Sequence, residues 1–197
     1  MNVQSTDVVN VSAGIELDTA AATLALAFDA DPFMRWMYDD PLNYLENIPA
    51  LFRAIGQESV EEGAAQRTAD GAGVAFWLPP GVAGASEPIQ AVISRSVALD
   101  KQSAIGAAME QTEHYRPREP HWYLSTLGVD AAHRNKGCGA LLLKHRLRTC
   151  DEQHLPAYLW SSSPQNISFY ERHGFQVTCT VQEGAAPAIF TMLREAR

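Results

Sequence analysis

One run of about thirty residues limits the fold more than any other part of the chain. Trp122, Tyr123, Leu124, Thr126, Leu127 and Val129 form an apolar, β-prone stretch, which reads as a central strand buried on both faces. After Asp130-Ala-Ala-His133 comes the turn Arg134-Asn135-Lys136-Gly137-Cys138-Gly139. Beyond it Ala140, Leu143, Leu147 and Cys150 fall on one helical face, while Lys144, Arg148 and Asp151 fall on another. A strand, a glycine turn and an amphipathic helix in that order gather unsatisfied N–H groups and the positive end of a helix macrodipole at one corner. Glycines let the backbone approach an anion without a Cβ in the way, so phosphate or pyrophosphate is the natural occupant. Gly-x-Gly alone is also an ordinary strand-to-helix turn.

Two phosphate-binding motifs compete for this turn. A nucleotide P-loop requires Gly-Lys followed by a hydroxyl residue, which the chain does not contain. A dinucleotide fingerprint requires a small residue three positions after Gly139, where Leu142 stands, and an acidic residue closing the next strand, where Ala157 to Trp160 runs into serines. What remains is Arg-x-x-Gly-x-Gly at a strand-helix junction.

The rest of the chain reads as one mixed α/β domain over residues 1–197, with 1–14 a weakly ordered start or a first strand. Ile15, Ala22, Leu24, Ala25 and Phe28 keep helical spacing, with Asp18 or Thr19 as the cap. An aromatic loop, Asp31 to Pro41, leads to a second helix through Leu45, Ile48, Leu51, Phe52 and Ile55, ending near Gly56. Residues 64–68 and Gly73 to Leu78 read as a hairpin stopped by Pro79-Pro80, and helical turns fill Pro88 to His114. Beyond the glycine turn the expected elements are a strand at Ala157–Trp160, a short helix from Pro164 to Arg172 closed by Gly174, and a hairpin around Glu183-Gly184.

Charge and cysteine content narrow the functional classes. The net charge of −8 argues against a general binder of nucleic acid or anionic membrane, since both need a positive field. The charge is uneven: residues 1–110 carry −10 and residues 111–197 carry +2, with five basic and no acidic side chains between Arg134 and Arg148. A basic corner that meets a compact anion fits this, as does a solvated helix face. No basic residue precedes Ala30, unlike the start of an export signal, and no stretch is long and apolar enough for a membrane span. Cys138, Cys150 and Cys179 form no C-x-x-C pair, so no metal site or disulfide framework is expected and the cytoplasm is the expected compartment.

Arg134-x-x-Gly137-x-Gly139 after Tyr123–Val129 resembles the acetyl-CoA pyrophosphate loop of the GNAT N-acetyltransferase superfamily. The segment from Ala157 through Asn166 and Tyr170 to Phe175 is similar to that superfamily's next strand and its Asn-x-x-x-Tyr helix. More narrowly, Tyr115–Val129 and Phe169–Phe175 resemble puromycin N-acetyltransferase and its actinobacterial relatives, while Asp31-Pro-Phe-x-x-Trp36 and Phe76-Trp-Leu-Pro-Pro80 match more loosely. The resemblance implies a single GNAT-type domain. Its sheet would be mixed and mostly antiparallel, flanked by helices, with a splayed strand pair at the cofactor site. It also implies direct acetyl transfer from acetyl-CoA to an amine, without metal or acyl-enzyme.

Residue by residue, the resemblance assigns pantetheine contacts to the backbone of Leu127, Gly128 and Val129. It assigns the pyrophosphate to Arg134, Asn135, Lys136, Gly137, Cys138, Gly139 and Ala140. Asn166, Phe169 and Tyr170 complete the cofactor set, with Tyr170 as the general acid; a tyrosine there could equally pack its ring on Phe169 or Phe175. Relatives tend to carry a Glu where this chain has Trp160, so another group serves as base or the acceptor arrives neutral; His121 is one substitute. Asp31, Phe33, Trp36, Tyr38, Asp39 and Asp40, joined by Trp77 and Trp160, form an expected acceptor lip whose aromatic and acidic character suits an amphipathic cation. The expected acceptor is a small, antibiotic-like amine, with a protein or peptide amine as the alternative and an inactive CoA-binding module as a third reading. A homodimer is compatible with the resemblance.

Overall fold

The structure, a computed structural model, describes residues 7–84 and 86–197. Its centre is one seven-stranded sheet in the order β1-β2-β3-β4-β5-β7-β6. The strands are β1 (Val8–Asn10), β2 (Ala65–Thr68), β3 (Gly73–Leu78), β4 (Trp122–Val129), β5 (Ala157–Ser161), β6 (Gln176–Val181) and β7 (Ile189–Arg194). Every neighbouring pair is antiparallel except β4 and β5. That pair is joined by a helical crossover, α6 (Cys138–Glu152), as parallel neighbours require. The expected first strand is thus Val8–Asn10, and residues 1–6 lie outside the described residues.

Side-chain alternation along β3 divides the interior in two. Val74 and Phe76 enter a core with α1 (Ile15–Ala27), α2 (Pro32–Met37), α3 (Pro41–Glu61), α4 (Ser86–Ser96) and α5 (Leu99–His114). Ala75 and Trp77 point to the opposite face, where Leu142, Leu143, Leu147 and Cys150 of α6 close a second core, joined by Tyr170 of α7 (Ile167–Glu171). The amphipathic stripe read from the sequence of α6 is the stripe that seals this face.

Several expectations change in detail. The loop from Asp31 to Pro41 contains a helix of its own, because two Asp-Pro pairs each start one. Asp31 caps α2 by accepting the N–H groups of Phe33 and Met34, and Asp40 caps α3 through Leu42 N–H, with proline in the first turn both times. Helix α1 begins at Ile15, ahead of Asp18 and Thr19, and its start is held by the Ser12 amide donating to the Glu16 carboxylate at 2.8 Å. Helix α3 runs through Gly56 to Glu61; this glycine is a contact point, since a Cβ there would strike the Phe76 ring. Finally, β4 is not buried on both faces, for burial alternates along it and Tyr123, Ser125, Leu127 and Val129 are half-buried.

Candidate active site

The parallel pairing of β4 with β5 stops early. Trp122, Tyr123 and Leu124 pair with Ala157, Tyr158 and Leu159, and beyond Leu124 the two strands diverge. A register shift on the other edge of β4 coincides with this opening: Phe76 faces Thr126 while Trp77 faces Leu124, which leaves Ser125 as an extra residue. The Ser125 hydroxyl donates to the Phe76 carbonyl at 3.1 Å and holds the bulge. A bulge bends its strand and increases the local twist, which carries the second half of β4 away from β5. The β5 side of Ser125 to Val129 is left without a strand partner, beside a cleft bordered by Ser125, Thr126, Leu127, Trp160, Ser161, Asn166 and Tyr170.

The glycine turn stands at the C-terminal end of β4. Asp130 accepts the Ala132 N–H at 3.0 Å and starts a single 3₁₀ turn, Ala131–His133. Asn135 and Gly137 then take left-handed conformations, with φ of 61° and 89°. A β-branched residue would be strained at Gly137, the cap of α6, where Leu141 N–H donates to the glycine carbonyl at 2.9 Å. No heavy atom lies within 4 Å of where a Gly137 Cβ would stand, and Arg134, Asn135, Lys136 and Gly137 are all exposed. The positive end of α6 therefore faces open space, ahead of the first-turn amides of Cys138, Gly139 and Ala140. Arg134 is committed elsewhere: its guanidinium donates to the Ala27 carbonyl at 2.6 Å and ties the turn to the end of α1. Lys136 makes no ion pair among the described residues.

Gly128 is required by packing. A Cβ on it would stand 2.7 Å from a Leu24 methyl and 2.9 Å from the Ala27 Cβ, so α1 lies directly against this part of β4. The Gly139 position is looser, with the Phe169 ring 3.6 Å from a notional Cβ, and Phe169 thereby seats α7 against the start of α6.

Asn166 and Tyr170 are one helical turn apart and both border the cleft. Tyr170 is 7% exposed, with its ring edge-on to Phe169 at 5.1 Å and to Phe175 at 6.0 Å. The packing role and the cleft-facing position thus belong to one side chain. Burial, and secondarily the charge of Asp31, raise its phenol above the ordinary tyrosine value of 10.0, so the proton is retained at neutral pH.

The opposite wall differs from the expected lip. Trp160 borders the cleft, but Phe33 sits behind it, edge-on at 6.2 Å, and Trp36 packs on Phe33 at 5.6 Å without reaching the opening. Tyr38 is fully buried in the core beside α4, its hydroxyl 2.8 Å from that of Ser96. Trp77 is fully buried on the α6 face of the sheet, because the alternation of β3 turns it away from the cleft. Asp39 pairs with Lys101 and Asp40 caps α3. His121 lies at the closed end of the β4–β5 pair, with Nε2 accepting from Arg116 and Nδ1 bonded to the Glu119 carbonyl, so it is not brought to the cleft.

The apolar wall is supplied instead by Phe28, Met34, Phe52 and Ile55, with one carboxylate, Asp31, among them. Ser162, just past β5, donates to Asp31 Oδ2 at 2.7 Å. Burial raises the Asp31 carboxyl above its ordinary 3.8, opposed by the hydrogen bonds from Ser162, Met34 and Phe33. Phe28, Phe52 and Ile55 stand in the helical stripes already legible in the sequence, but a stripe shows which residues face inward and not which of them border an opening. A wider hollow beside Ser86, Glu87, Gln90, Ala91 and Ser94 lies on α4 and includes none of these residues.

The fold that carries this cleft has counterparts among known proteins. Residues 94–177 match the family model described as the acetyltransferase (GNAT) domain. The chain has the GNAT acetyltransferase fold. It is 25% identical over 172 residues to an uncharacterised N-acetyltransferase of Schizosaccharomyces pombe, covering 79% of this chain and 69% of that protein. A solved Corynebacterium glutamicum structure, described as histone acetyltransferase HPA2 and related acetyltransferase, aligns with a TM-score of 0.70 at 22% identity, covering 98% of both chains. Arylalkylamine N-acetyltransferase 2 of Aedes aegypti aligns at 0.66 and 13% identity, over 97% of this chain and 99% of the other. Naa50 of Arabidopsis thaliana, solved with the bisubstrate analogue CoA-Ac-MVNAL, aligns at 0.55 and 16% identity, over 98% and 99%. Among the described residues no helix is long and apolar enough to cross a membrane, and no cluster of three or more His, Cys, Asp or Glu could hold a metal ion.

Proposed function

We propose that this chain is an acetyl-CoA-dependent N-acetyltransferase that moves acetyl directly to the amine of a small molecule. One observation carries this reading: the second half of β4, free along its β5 edge, leads straight into an open, left-handed glycine turn at the start of α6, with Tyr170 in the cleft between. Open space around Gly137 and the exposure of residues 134–137 fit a diphosphate held by main-chain amides. Acetyl-CoA supplies the activated acetyl group as a thioester. The amides from Arg134 to Ala140 hold the diphosphate, with Lys136 adding charge, and Arg134 works by fixing the turn to α1. The free edge of Leu127, Gly128 and Val129 pairs with the pantetheine arm and aims an N–H at the thioester oxygen. Asn166 contacts the same arm, Phe169 seats it, and Tyr170 donates the proton that the departing sulfur requires.

The acceptor is inferred from the cleft. Its wall of Phe28, Met34, Phe52, Ile55 and Trp160 around one carboxylate suits a compact amphipathic cation. The arylalkylamine enzyme among the similar folds and the resemblance to puromycin N-acetyltransferase at Tyr115–Val129 support a small, antibiotic-like or arylalkyl amine. The peptide-bearing analogue of the plant structure is the reason to test peptides beside it. Saturating acetyl-CoA should raise the thermal midpoint, by an amount equivalent to about 2.7 kcal/mol at one hundred times Kd. Free CoA thiol should then appear only when a suitable amine is added. No midpoint shift contradicts cofactor binding; a shift with no thiol release from any small amine or peptide leaves a CoA-binding module.

A further inference from the structure

Trp160 borders the cleft where β5 leaves β4, one residue past Leu159, the last paired position. Its indole N–H is already taken: it donates to the phenol oxygen of Tyr123, which stands on the same face of the sheet. Tyr123 is fixed in turn. The Arg116 guanidinium lies over its ring, 4.4 Å from the centroid, and donates to His121 Nε2 at 2.9 Å and to the Glu113 carboxylate at 3.2 Å. Phe33 meets the Trp160 ring edge-on at 6.2 Å. These contacts hold the indole in one orientation with its nitrogen satisfied, so what it offers a ligand is an apolar ring surface. The polar chain is not needed to fasten α5 to the sheet, because the Tyr158 hydroxyl does so by donating to the Thr112 carbonyl at 2.9 Å. A phenylalanine at position 123 would also pack under Arg116; among the described residues, the hydroxyl's hydrogen-bond partner is the Trp160 indole.

We infer that Tyr123 is a positioning residue that holds Trp160 as a fixed stacking surface, and that the acceptor is an amine whose body carries an aromatic ring. The inference rests on the acetyltransferase reading above and deepens it by naming the class of amine. A planar ring gains most from a flat partner already in place, since the protein side then loses no rotamer freedom on binding. Phe28 and Phe52 border the same cleft as a tilted pair at 5.0 Å and supply further aromatic surface. An amine of equal charge and similar bulk but with a saturated ring forgoes these contacts. Arg116 and His121 act further back, through the ring of Tyr123.

Phenylethylamine and cyclohexylethylamine, which differ in the planarity of the ring, are the probes. Their binding to the CoA-loaded protein is measured by calorimetry, and their acetylation by steady-state kinetics at saturating acetyl-CoA. The proteins are wild type, Tyr123→Phe, Trp160→Leu and the double variant. Wild type should prefer phenylethylamine about fivefold. Tyr123→Phe should raise the phenylethylamine KM about fivefold, with kcat within about twofold and acetyl-CoA affinity unchanged. Trp160→Leu should abolish the preference, and adding Tyr123→Phe to it should change nothing further, because the hydroxyl acts only through the indole. A Tyr123 that merely supports the fold would cause the same loss in both backgrounds. The inference is overturned if wild type separates the two amines by less than about twofold, binding of neither included. It is also overturned if Tyr123→Phe leaves the phenylethylamine KM unchanged, or if its effect persists in Trp160→Leu. Failure of wild type to bind acetyl-CoA in the same calorimetry would instead overturn the acetyltransferase reading itself.

Discussion

The two walls of the cleft are made of different material. On the β4–α6 side the useful groups are main-chain amides, presented by a bulge at Ser125, a free strand edge and a left-handed glycine. On the α1–α3 side they are side chains, Phe28, Asp31, Met34, Phe52 and Ile55, delivered by three helices and the turns between them. A backbone site accepts few substitutions and fits a ligand part that is always the same. A side-chain wall can be rebuilt without disturbing the sheet, which suits the part of a reaction that differs between relatives. Substitutions on one wall should therefore alter one ligand and spare the other.

Tyr170 stands where the walls meet, and its loss should have the largest effect. Tyr170→Phe keeps the ring packed on Phe169 and Phe175 and removes only the phenol hydroxyl. Turnover should fall on the order of 100-fold, with acetyl-CoA affinity within about twofold of wild type in steady-state kinetics and calorimetry. A collapse of affinity instead would make the tyrosine a packing residue.

Gly128→Ala comes next, and it tests how tightly the walls are joined. The added methyl meets Leu24 and Ala27 of α1, so urea unfolding should show a loss of about 1–3 kcal/mol. A neutral result would mean that α1 can slide on β4. Gly137→Val separates the walls more cleanly. A β-branched residue at a φ of 89° is strained, and main-chain geometry at the turn should change. Acetyl-CoA affinity should drop about tenfold, a cost of about 1–2 kcal/mol, while the KM of the amine at saturating acetyl-CoA stays as it was.

The same division explains what could be read from the sequence. The strand, turn and helix from Trp122 to Glu152 were legible because each rests on local chemistry: β-prone residues, glycines and a helical stripe. Elements 65–68, 73–78 and 157–161 were legible for the same reason. The wall proposed for the acceptor was legible only in part: Asp31 and Trp160 belong to the expected lip and border the cleft, whereas Phe28, Met34, Phe52 and Ile55 were not in it. Trp77 reads as a pocket aromatic, but the pleat of β3 places it on the other face, and the hydroxyl of Tyr38, another residue of the expected lip, lies against that of Ser96. Phe28 and Phe52 read as core because spacing shows which face is buried and not where the packed layers part. Asp31 was visible as an acid before a proline, but its meeting with Ser162 joins residues 131 positions apart. No local pattern encodes that distance.

The smallest effect concerns the frame of the acceptor side. Hydrogen bonds from Ser12, then from Arg67, hold the exposed Glu16 carboxyl down at about 2 from its ordinary 4.5. A carboxyl lowered on folding stabilises the fold above its unfolded value, and that contribution is lost as pH falls from 4.5 toward 2. Glu16→Gln should flatten this part of a urea-midpoint profile against pH and leave the profile above pH 6 unchanged. A variant profile parallel to wild type would remove Glu16 from the frame.

Amide hydrogen exchange with and without saturating acetyl-CoA tests the backbone site most directly. Protection should rise over residues 125–129 and 134–140, the unpaired edge of β4 and the glycine turn, with little change in α4 and α5. Protection confined to other elements, or no change when the ligand is in excess, would contradict the assignment of this corner to the cofactor.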